Sequence, residues 1–166
     1  RGDVYKRQDV LVFETAPLTT AVEVVGPIHV KLWVSSTATD TDFTAKLIDV
    51  FPPSEDYPNG YSMNVEDGIL RMRFRNSRER EELMVPGTVY PITIDLWATA
   101  NRFSPGHRIR VDISSSNFPM YDINPNTGEP LGKHTHSVRA LNRVYHGGEY
   151  PSHLHLSVRT PLSGNR

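Results

Sequence analysis

Hydroxyl and imidazole side chains are the groups in this sequence that could carry out acyl transfer. The run Ser114-Ser115-Ser116 supplies hydroxyls, and seven histidines supply candidate bases. A serine hydroxyl is a weak nucleophile until a neighbouring base activates it. The sequence contains no G-x-S-x-G elbow between a strand and a helix. We therefore interpret these serines as hydrogen-bonding residues at a strand end, and we assign no catalytic residue.

Two histidine pairs have the H-x-H spacing that could bring two imidazoles to one metal ion, because alternate residues of a strand share a face. After the first pair, His134 and His136, no glutamate follows at the distance expected of a third ligand. The second pair, His153 and His155, alternates with leucines and so faces solvent. We therefore predict no metal site and no cofactor.

Charged side chains cluster at two further places, and each cluster has two interpretations. The carboxylates of Asp40 and Asp42 could chelate Ca²⁺, but carboxylates in turns more often cap backbone N–H groups. The alternating arginines of the stretch 71–75 occupy one face of a predicted strand. They could bind an acidic partner, but such a row more often pairs with acidic residues of a neighbouring strand. The candidates for that pairing are Asp95 and Asp112.

The most specialised stretch is a loop that reads Asn117-Phe118-Pro119-Met120-Tyr121. Aromatic side chains in a loop either plug the end of a sheet structure or face a partner surface, where they are enriched. Both alternatives remain open for Phe118 and Tyr121. Two tryptophans occupy solvent-side positions of predicted strands. The candidate residues for a domain interface or a cleft lining are therefore Asn117, Phe118, Tyr121, Trp33 and Trp97.

Strict alternation of apolar and polar residues defines the elements that must position these groups. Successive side chains of a strand point to opposite faces, so each such segment buries one face, as the antiparallel strands of a sandwich do. The clearest strand, 107–114, follows the turn Ser104-Pro105-Gly106 and leads into the specialised loop. Further strands are predicted around residues 10–13, 22–25, 28–35, 43–48, 70–75, 92–97 and 154–158. Seven or eight strands predict an all-β sandwich, most simply a jelly roll.

Composition limits the class of protein. A chain of 166 residues can bury a sizeable core. It has no cysteine, which excludes disulfides and thiolate metal sites. A net charge of −1 argues against a nucleic-acid partner, and no apolar run is long enough for a membrane helix. Neither a cytoplasmic nor a secreted location is favoured.

Several ordered motifs together resemble one family across nearly the whole chain. They are AKLIDVFP (45–52), DGILRMRFR (67–75), PGHRIRVDISSSNFP (105–119), NPNTG (124–128) and EYPSHLHL (149–156). The chain resembles the C-terminal non-catalytic domain of X-Pro dipeptidyl-peptidases and of the cocaine-esterase-like (CocE/NonD) serine hydrolases. The sequence SSSNFP followed by Tyr121 is similar to the cocaine-esterase-like branch.

The resemblance implies a galactose-binding-like jelly roll attached behind an α/β-hydrolase domain of the same polypeptide. In that family the serine–aspartate–histidine triad lies in the upstream domain, and the jelly roll packs on it and helps to wall its cleft. The parent protein would then cleave esters, amides or X-Pro dipeptides. The resemblance covers residues 9–162, leaving 163–166 as a tail. Residues 1–8 match nothing and are interpreted as a tag or a sequencing artefact, and the opening strand or strands of the jelly roll are expected to be missing.

An independent carbohydrate-binding module is the alternative function. Sandwich domains often bind sugars on an exposed aromatic platform beside polar groups. Trp33 and Trp97, both on the solvent side of predicted strands, could form such a platform. In the hydrolase interpretation the same tryptophans pack against the partner domain instead.

Overall fold

Alternating apolar residues bring two antiparallel β-sheets face to face in a computed structural model that describes residues 9–159. The strands are β1 (Leu11–Glu14), β2 (Val22–Ser36), β3 (Asp42–Phe51), β4 (Tyr61–Arg71), β5 (Tyr90–Phe103), β6 (Arg108–Ser114), β7 (Asn142–Tyr145) and β8 (His153–Val158). Sheet A has the order β1-β6-β3-β4. In sheet B, β2 pairs with β5 on one edge and with both β7 and β8 on the other. The predicted all-β sandwich is confirmed, and the jelly-roll connectivity stays a prediction.

The core lies between the sheets and is built from the apolar side of each alternating pattern. The largest contributions come from β2, β3 and β5, whose inward residues are almost fully buried. These core residues are Val24, Ile28, Val30, Leu32, Val34, Phe43, Ala45, Leu47, Ile92, Ile94 and Leu96. The sheets approach closely where β4 packs on β5, and a Cβ built on Gly68 would lie 2.3 Å from the backbone oxygen of Asp95. Only glycine leaves room for that approach.

The two strands predicted at 22–25 and 28–35 are one continuous strand, β2. Its register shifts between Pro27 and His29, where proline cannot donate a ladder hydrogen bond. Opposite this point β5 has an extra residue, so Leu96 and Trp97 face only Ile28. This β-bulge puts Trp97 at φ 65°, in the left-handed region. A break in the sequence pattern therefore marked a bulge rather than a turn.

The strand predicted at 70–75 is β4 (Tyr61–Arg71), which begins well before residue 70 and ends at Arg71, and a short 3-10 helix (Met72–Phe74) follows. The backbone N–H of Met72 donates to the carbonyl of Thr41 at 2.9 Å. Arg73, expected on the solvent side, is only 1% exposed. Its solvent-side placement was wrong, because its guanidinium binds the buried carboxylate of Asp40.

The predicted pairing of this arginine row with an acidic residue of a neighbouring strand is right in kind for Arg71, which binds Asp42 on β3. The candidate Asp95 was wrong, since it accepts the backbone N–H of Trp97 and lies 3.8 Å from His29.

The solvent face predicted for β6 is also wrong at two positions. Arg110 and Asp112 point away from the sheet interface yet are 1% and 4% exposed. Their side chains form two hydrogen bonds, Nε to Oδ1 at 2.6 Å and Nη2 to Oδ2 at 2.7 Å. Asp112 thus pairs with its neighbour on its own strand and not with the arginines of 71–75.

Candidate functional site

One end of the sandwich is covered by residues 115–141, the end loop, which joins β6 to β7 without forming a strand. Loops of this length that lack secondary structure are uncommon in compact domains and are usually functional. The end loop lies where β2 ends and β3 begins. There the N–H of Thr37 donates to the carbonyl of Leu141 at 3.3 Å. It is the same loop that the aromatic pattern singled out.

A cluster of charged and polar side chains, the clamp, anchors the end loop and consists of Asp40, Asp42, Arg71, Arg73 and Asn124. Asp40 and Asp42 are 0% and 1% exposed. Arg71 binds Asp42 through two hydrogen bonds of 2.9 Å each, and the Nε of Arg73 binds Asp40 at 2.8 Å. A buried charge is tolerated only when it is paired and hydrogen-bonded, and the clamp meets both conditions.

Asn124 connects the clamp to the loop. Its amide Nδ2 donates to Asp40 Oδ2 at 3.0 Å and to Asp42 Oδ1 at 2.8 Å. Its Oδ1 accepts the backbone N–H of Asn126 at 2.9 Å. The side chain is buried, so these bonds are shielded from competing water. One amide thus bridges both carboxylates and fixes the following turn.

The arginines of the clamp also reach the loop backbone directly. The Nη2 of Arg71 donates to the carbonyl of Asp122 at 3.3 Å, and the Nη2 of Arg73 donates to that of Glu129 at 3.0 Å. The hydrogen bond to Asp42 raises the pKa of the Arg71 guanidinium above its ordinary value. Both arginines therefore tie the loop backbone to the clamp.

Further hydrogen bonds hold the loop along its length. Asn117 donates to Asp67 at 3.1 Å, and Asn142 donates to Ser115 at 2.7 Å. The Glu129 carboxylate accepts from the Thr135 hydroxyl at 2.8 Å, and this bond lowers the pKa of Glu129. The loop is thus a shaped surface tied down at several points.

This well-anchored loop nevertheless exposes large apolar side chains. Phe118, Met120 and Ile123 are 66%, 65% and 62% exposed. Between them Tyr121 is half-buried, and burial raises the pKa of its phenol, with a smaller effect from the negative charge of Asp67. Apolar residues that are exposed on an ordered surface are typical of interaction sites. The exposure of Phe118 rules out the interpretation that it plugs the sandwich.

The structure gathers three of the five candidate interface residues and separates the other two. Asn117, Phe118 and Tyr121 share the end loop. Trp33 lies on the outer side of β2 and packs on Tyr150, with ring centroids 5.5 Å apart. Trp97 is 70% exposed at the bulge of β5.

The two tryptophans do not form one platform. Trp33 is paired with Pro91, six positions before Trp97 on β5, which corresponds to about 20 Å along a strand. The aromatic platform of the carbohydrate alternative is therefore not assembled from these two residues.

The serines serve as hydrogen-bonding residues at the end of β6, as interpreted from the sequence. Ser114 shares a 2.6 Å hydrogen bond with Thr44, and Ser116 accepts the backbone N–H of Phe118 at 3.4 Å. The described histidines pair with carboxylates, a threonine hydroxyl and a backbone carbonyl, and none of these partners is a serine. These serines thus shape the start of the end loop.

The histidine pairs are exposed, and the acidic pair differs from its expected role. In the described part of the chain no three His, Asp or Glu side chains are arranged to hold a metal ion. Asp40 does accept a backbone N–H, that of Arg73 at 3.0 Å. Its side-chain partners are nevertheless the Arg73 guanidinium and the Asn124 amide, so the Asx-cap interpretation was incomplete. Among residues 9–159, no helix is long and apolar enough to span a membrane.

Sequence reasoning missed three residues of this site: Met120, Ile123 and Asn124. The apolar pair was overlooked because the loop shows no periodicity that assigns its residues to a face. Asn124 opens the motif NPNTG, and an asparagine before a proline in a loop was a signal of a local hydrogen-bonding role. Its carboxylate partners are some 80 positions earlier in the sequence, so no local pattern could identify them.

The chain is similar to known proteins over nearly its whole length. The family model described as the X-Pro dipeptidyl-peptidase C-terminal non-catalytic domain matches residues 3–155. The cocaine esterase of Rhodococcus sp. (strain MB1 Bresler) is 46% identical over 157 residues, which are 93% of this chain and 26% of that protein. The chain therefore spans about a quarter of the length of this relative.

Two solved structures superpose closely on the sandwich. An aminopeptidase from a marine sediment Thaumarchaeota archaeon has a TM-score of 0.88 and 35% identity, over 93% of this chain and 26% of that one. An α-amino acid ester hydrolase has a TM-score of 0.88 and 36% identity, over 94% and 26%. None of these relatives is named as a sugar-binding protein, so the carbohydrate alternative gains no support. The chain belongs to the family of X-Pro dipeptidyl-peptidase C-terminal non-catalytic domains, of the kind found in CocE/NonD hydrolases.

Proposed function

We propose that this domain is the accessory part of a serine hydrolase and that its end loop docks on the catalytic α/β-hydrolase domain of the same polypeptide. The observation that supports the proposal is an apolar surface held in a fixed shape. Phe118, Met120 and Ile123 are all more than 60% exposed on a loop anchored by the clamp. A pre-ordered surface loses little conformational entropy when it binds.

The anchored loop also supports a role beside the active site. Asn117 and Tyr121 place an amide and a phenol among the apolar side chains, so the surface could line a substrate cleft. We propose Trp97 as a second contact with the catalytic domain, because an exposed indole on a left-handed backbone is unusual. Trp33 would contribute through the same face of sheet B.

The parent protein would cleave esters or amides. Relatives are named as a cocaine esterase, an aminopeptidase and an α-amino acid ester hydrolase, so an acyl group next to the scissile bond is the substrate feature we propose. The proposed domain boundaries are residues 9–162, with 1–8 and 160–166 outside the described residues.

A double substitution on the full-length polypeptide tests this proposal. Phe118→Asp with Met120→Asp puts two charges into the proposed interface, and we expect the hydrolysis of p-nitrophenyl acetate to fall at least about tenfold. The control is Tyr57→Asp, which introduces a charge at a 52% exposed aromatic side chain at the opposite end of the sandwich. A double variant that folds and keeps the wild-type rate would show that the end loop is not the docking surface.

A further inference from the structure

The second half of the end loop, continuing into β7, carries positive charge with no negative charge to balance it. This stretch, residues 131–143, is the basic segment. It contains Lys133, Arg139 and Arg143 together with two histidines, but no aspartate or glutamate. The rest of the chain holds the other 15 of the 18 lysines and arginines against all 19 acidic residues. The basic segment is thus a local excess of positive charge on a slightly acidic chain.

The three cations of the basic segment have no carboxylate partner among residues 9–159. None of the ion pairs in that part of the chain involves Lys133, Arg139 or Arg143, and all three residues are exposed. The nearest carboxylate in the sequence, that of Glu129, accepts hydrogen bonds from two threonines instead. The charge of the segment is therefore available to a partner.

The basic segment is held in a fixed shape by backbone hydrogen bonds. The N–H of Val138 donates to the carbonyl of Pro125 at 2.9 Å, and the Asn126 amide donates to the carbonyl of Val138 at 2.9 Å. The N–H of Leu141 donates to the Thr37 hydroxyl at 3.0 Å. The last residues of the segment belong to β7. Charges on an ordered surface meet a partner with little further loss of conformational entropy.

The basic segment also borders the apolar part of the end loop. Pro125, which binds Val138, follows Ile123 by two residues. The segment itself exposes apolar side chains, since Leu131 and Leu141 are 45% and 55% exposed. Apolar contacts flanked by polar and charged groups are the usual composition of a protein interface. The apolar and basic parts of the loop therefore form one continuous surface.

We propose that the basic segment binds an acidic surface of the catalytic domain, beside the apolar contact made by Phe118 and Met120. Opposite charges across an interface fix its orientation and exclude wrong arrangements. This inference rests on the proposed function, because it names the chemistry of the surface on which the same loop docks.

The catalytic domain is favoured as the occupant because the charge is continuous with the proposed docking surface. The matched region is only 26% of the cocaine esterase relative, and linkage within one chain gives a high effective concentration. A small free anion fits less well, since exposed cations are surrounded by water and screened by salt.

A single cysteine at position 120 tests the inference, because this domain has no native cysteine. In the full-length polypeptide, with other cysteines replaced, docking should make Met120→Cys react with a maleimide at least about tenfold more slowly than Tyr57→Cys. These positions are similarly exposed in the domain, at 65% and 52%. Adding Lys133→Gln and Arg139→Gln should raise the rate at Met120→Cys at least about threefold at low salt.

The matched control is Arg78→Gln with Arg80→Gln, which removes the same two charges at exposed positions outside the basic segment. This pair should leave the rate at Met120→Cys unchanged. About 0.5 M NaCl should abolish the difference between the basic-segment variant and its parent, because salt screens exposed charges.

The outcomes separate this inference from docking itself. Slow labelling of Met120→Cys that the Lys133→Gln and Arg139→Gln pair does not change would overturn the inference and leave docking intact. Fast labelling of Met120→Cys in every background would remove docking, and the inference with it. If the pair leaves labelling unchanged but raises the KM for an ester that carries a carboxylate, the segment binds substrate and the catalytic domain is not its occupant.

Discussion

At the scale of single residues, the clamp shows how a buried ionic group can organise a loop. Each carboxylate has an arginine partner, and Asn124 fills an acceptor position that the arginine leaves on each. A buried ion pair adds little net stability compared with apolar packing, but leaving one of its acceptors unfilled is costly. The clamp therefore determines the conformation of the end loop more than the stability of the sandwich.

Replacement of Asn124 by alanine tests this role. Asn124→Ala removes two donors from buried carboxylates, and we expect the free energy of unfolding to fall by about 1–3 kcal/mol. Asn76→Ala is the matched control, because its amide donates to Glu82 at 2.9 Å on the surface and should change stability by no more than about 0.5 kcal/mol. Urea unfolding of both variants measures the difference, and equal midpoints would contradict the role assigned to Asn124.

At the scale of elements, the sequence predicted what depends on alternation and missed what depends on distant partners. The strands around residues 28–35, 43–48, 92–97, 107–114 and 154–158 were located correctly, because each buries one face against the core. Arg73 and Arg110 were assigned to solvent, since alternation alone places a charge outside. Their burial depends on Asp40 and Asp112.

The same limit explains one misplaced strand end and one missed strand. Residues 72–74 keep the alternating pattern of a strand, but the chain turns there to place Arg73 on Asp40. The short strand β7 (Asn142–Tyr145) has too few apolar residues to be recognised from pattern, and it exists because the end of β2 offers an unpaired edge. Of the candidate site, the sequence predicted the loop and its aromatic residues but not the anchor that holds them.

The close packing of β4 on β5 gives a prediction at this scale. Gly68→Ala places a methyl group against the Asp95 carbonyl, at 2.3 Å before relaxation, so one sheet must shift. We expect a loss of about 1–3 kcal/mol in unfolding free energy, as for other overpacked sites. Ser62→Ala, exposed on the same strand, should stay within about 0.5 kcal/mol of the wild type. If thermal denaturation shows equal effects for the two variants, the close approach of the sheets is wrong.

At the scale of the whole molecule, the clamp and the apolar loop residues should act as one unit. Asn124→Ala loosens the loop that presents Phe118 and Met120, so both changes disturb the same proposed interface. Effects on residues that share an interface are non-additive. In the full-length protein, combining Asn124→Ala with the Phe118→Asp and Met120→Asp pair should lower the rate of ester hydrolysis little beyond the pair alone. Rates that multiply fully would show that the clamp acts independently of docking.

The bulge that exposes Trp97 also provides an optical reporter. The domain has two tryptophans, and they differ in surroundings: Trp97 is 70% exposed, while Trp33 is half-buried against Tyr150. Indole emission moves to shorter wavelength when water leaves the ring, so the two residues emit differently in the same fold. A protein with Trp33 replaced by phenylalanine would report the surroundings of the bulge alone, without any attached dye.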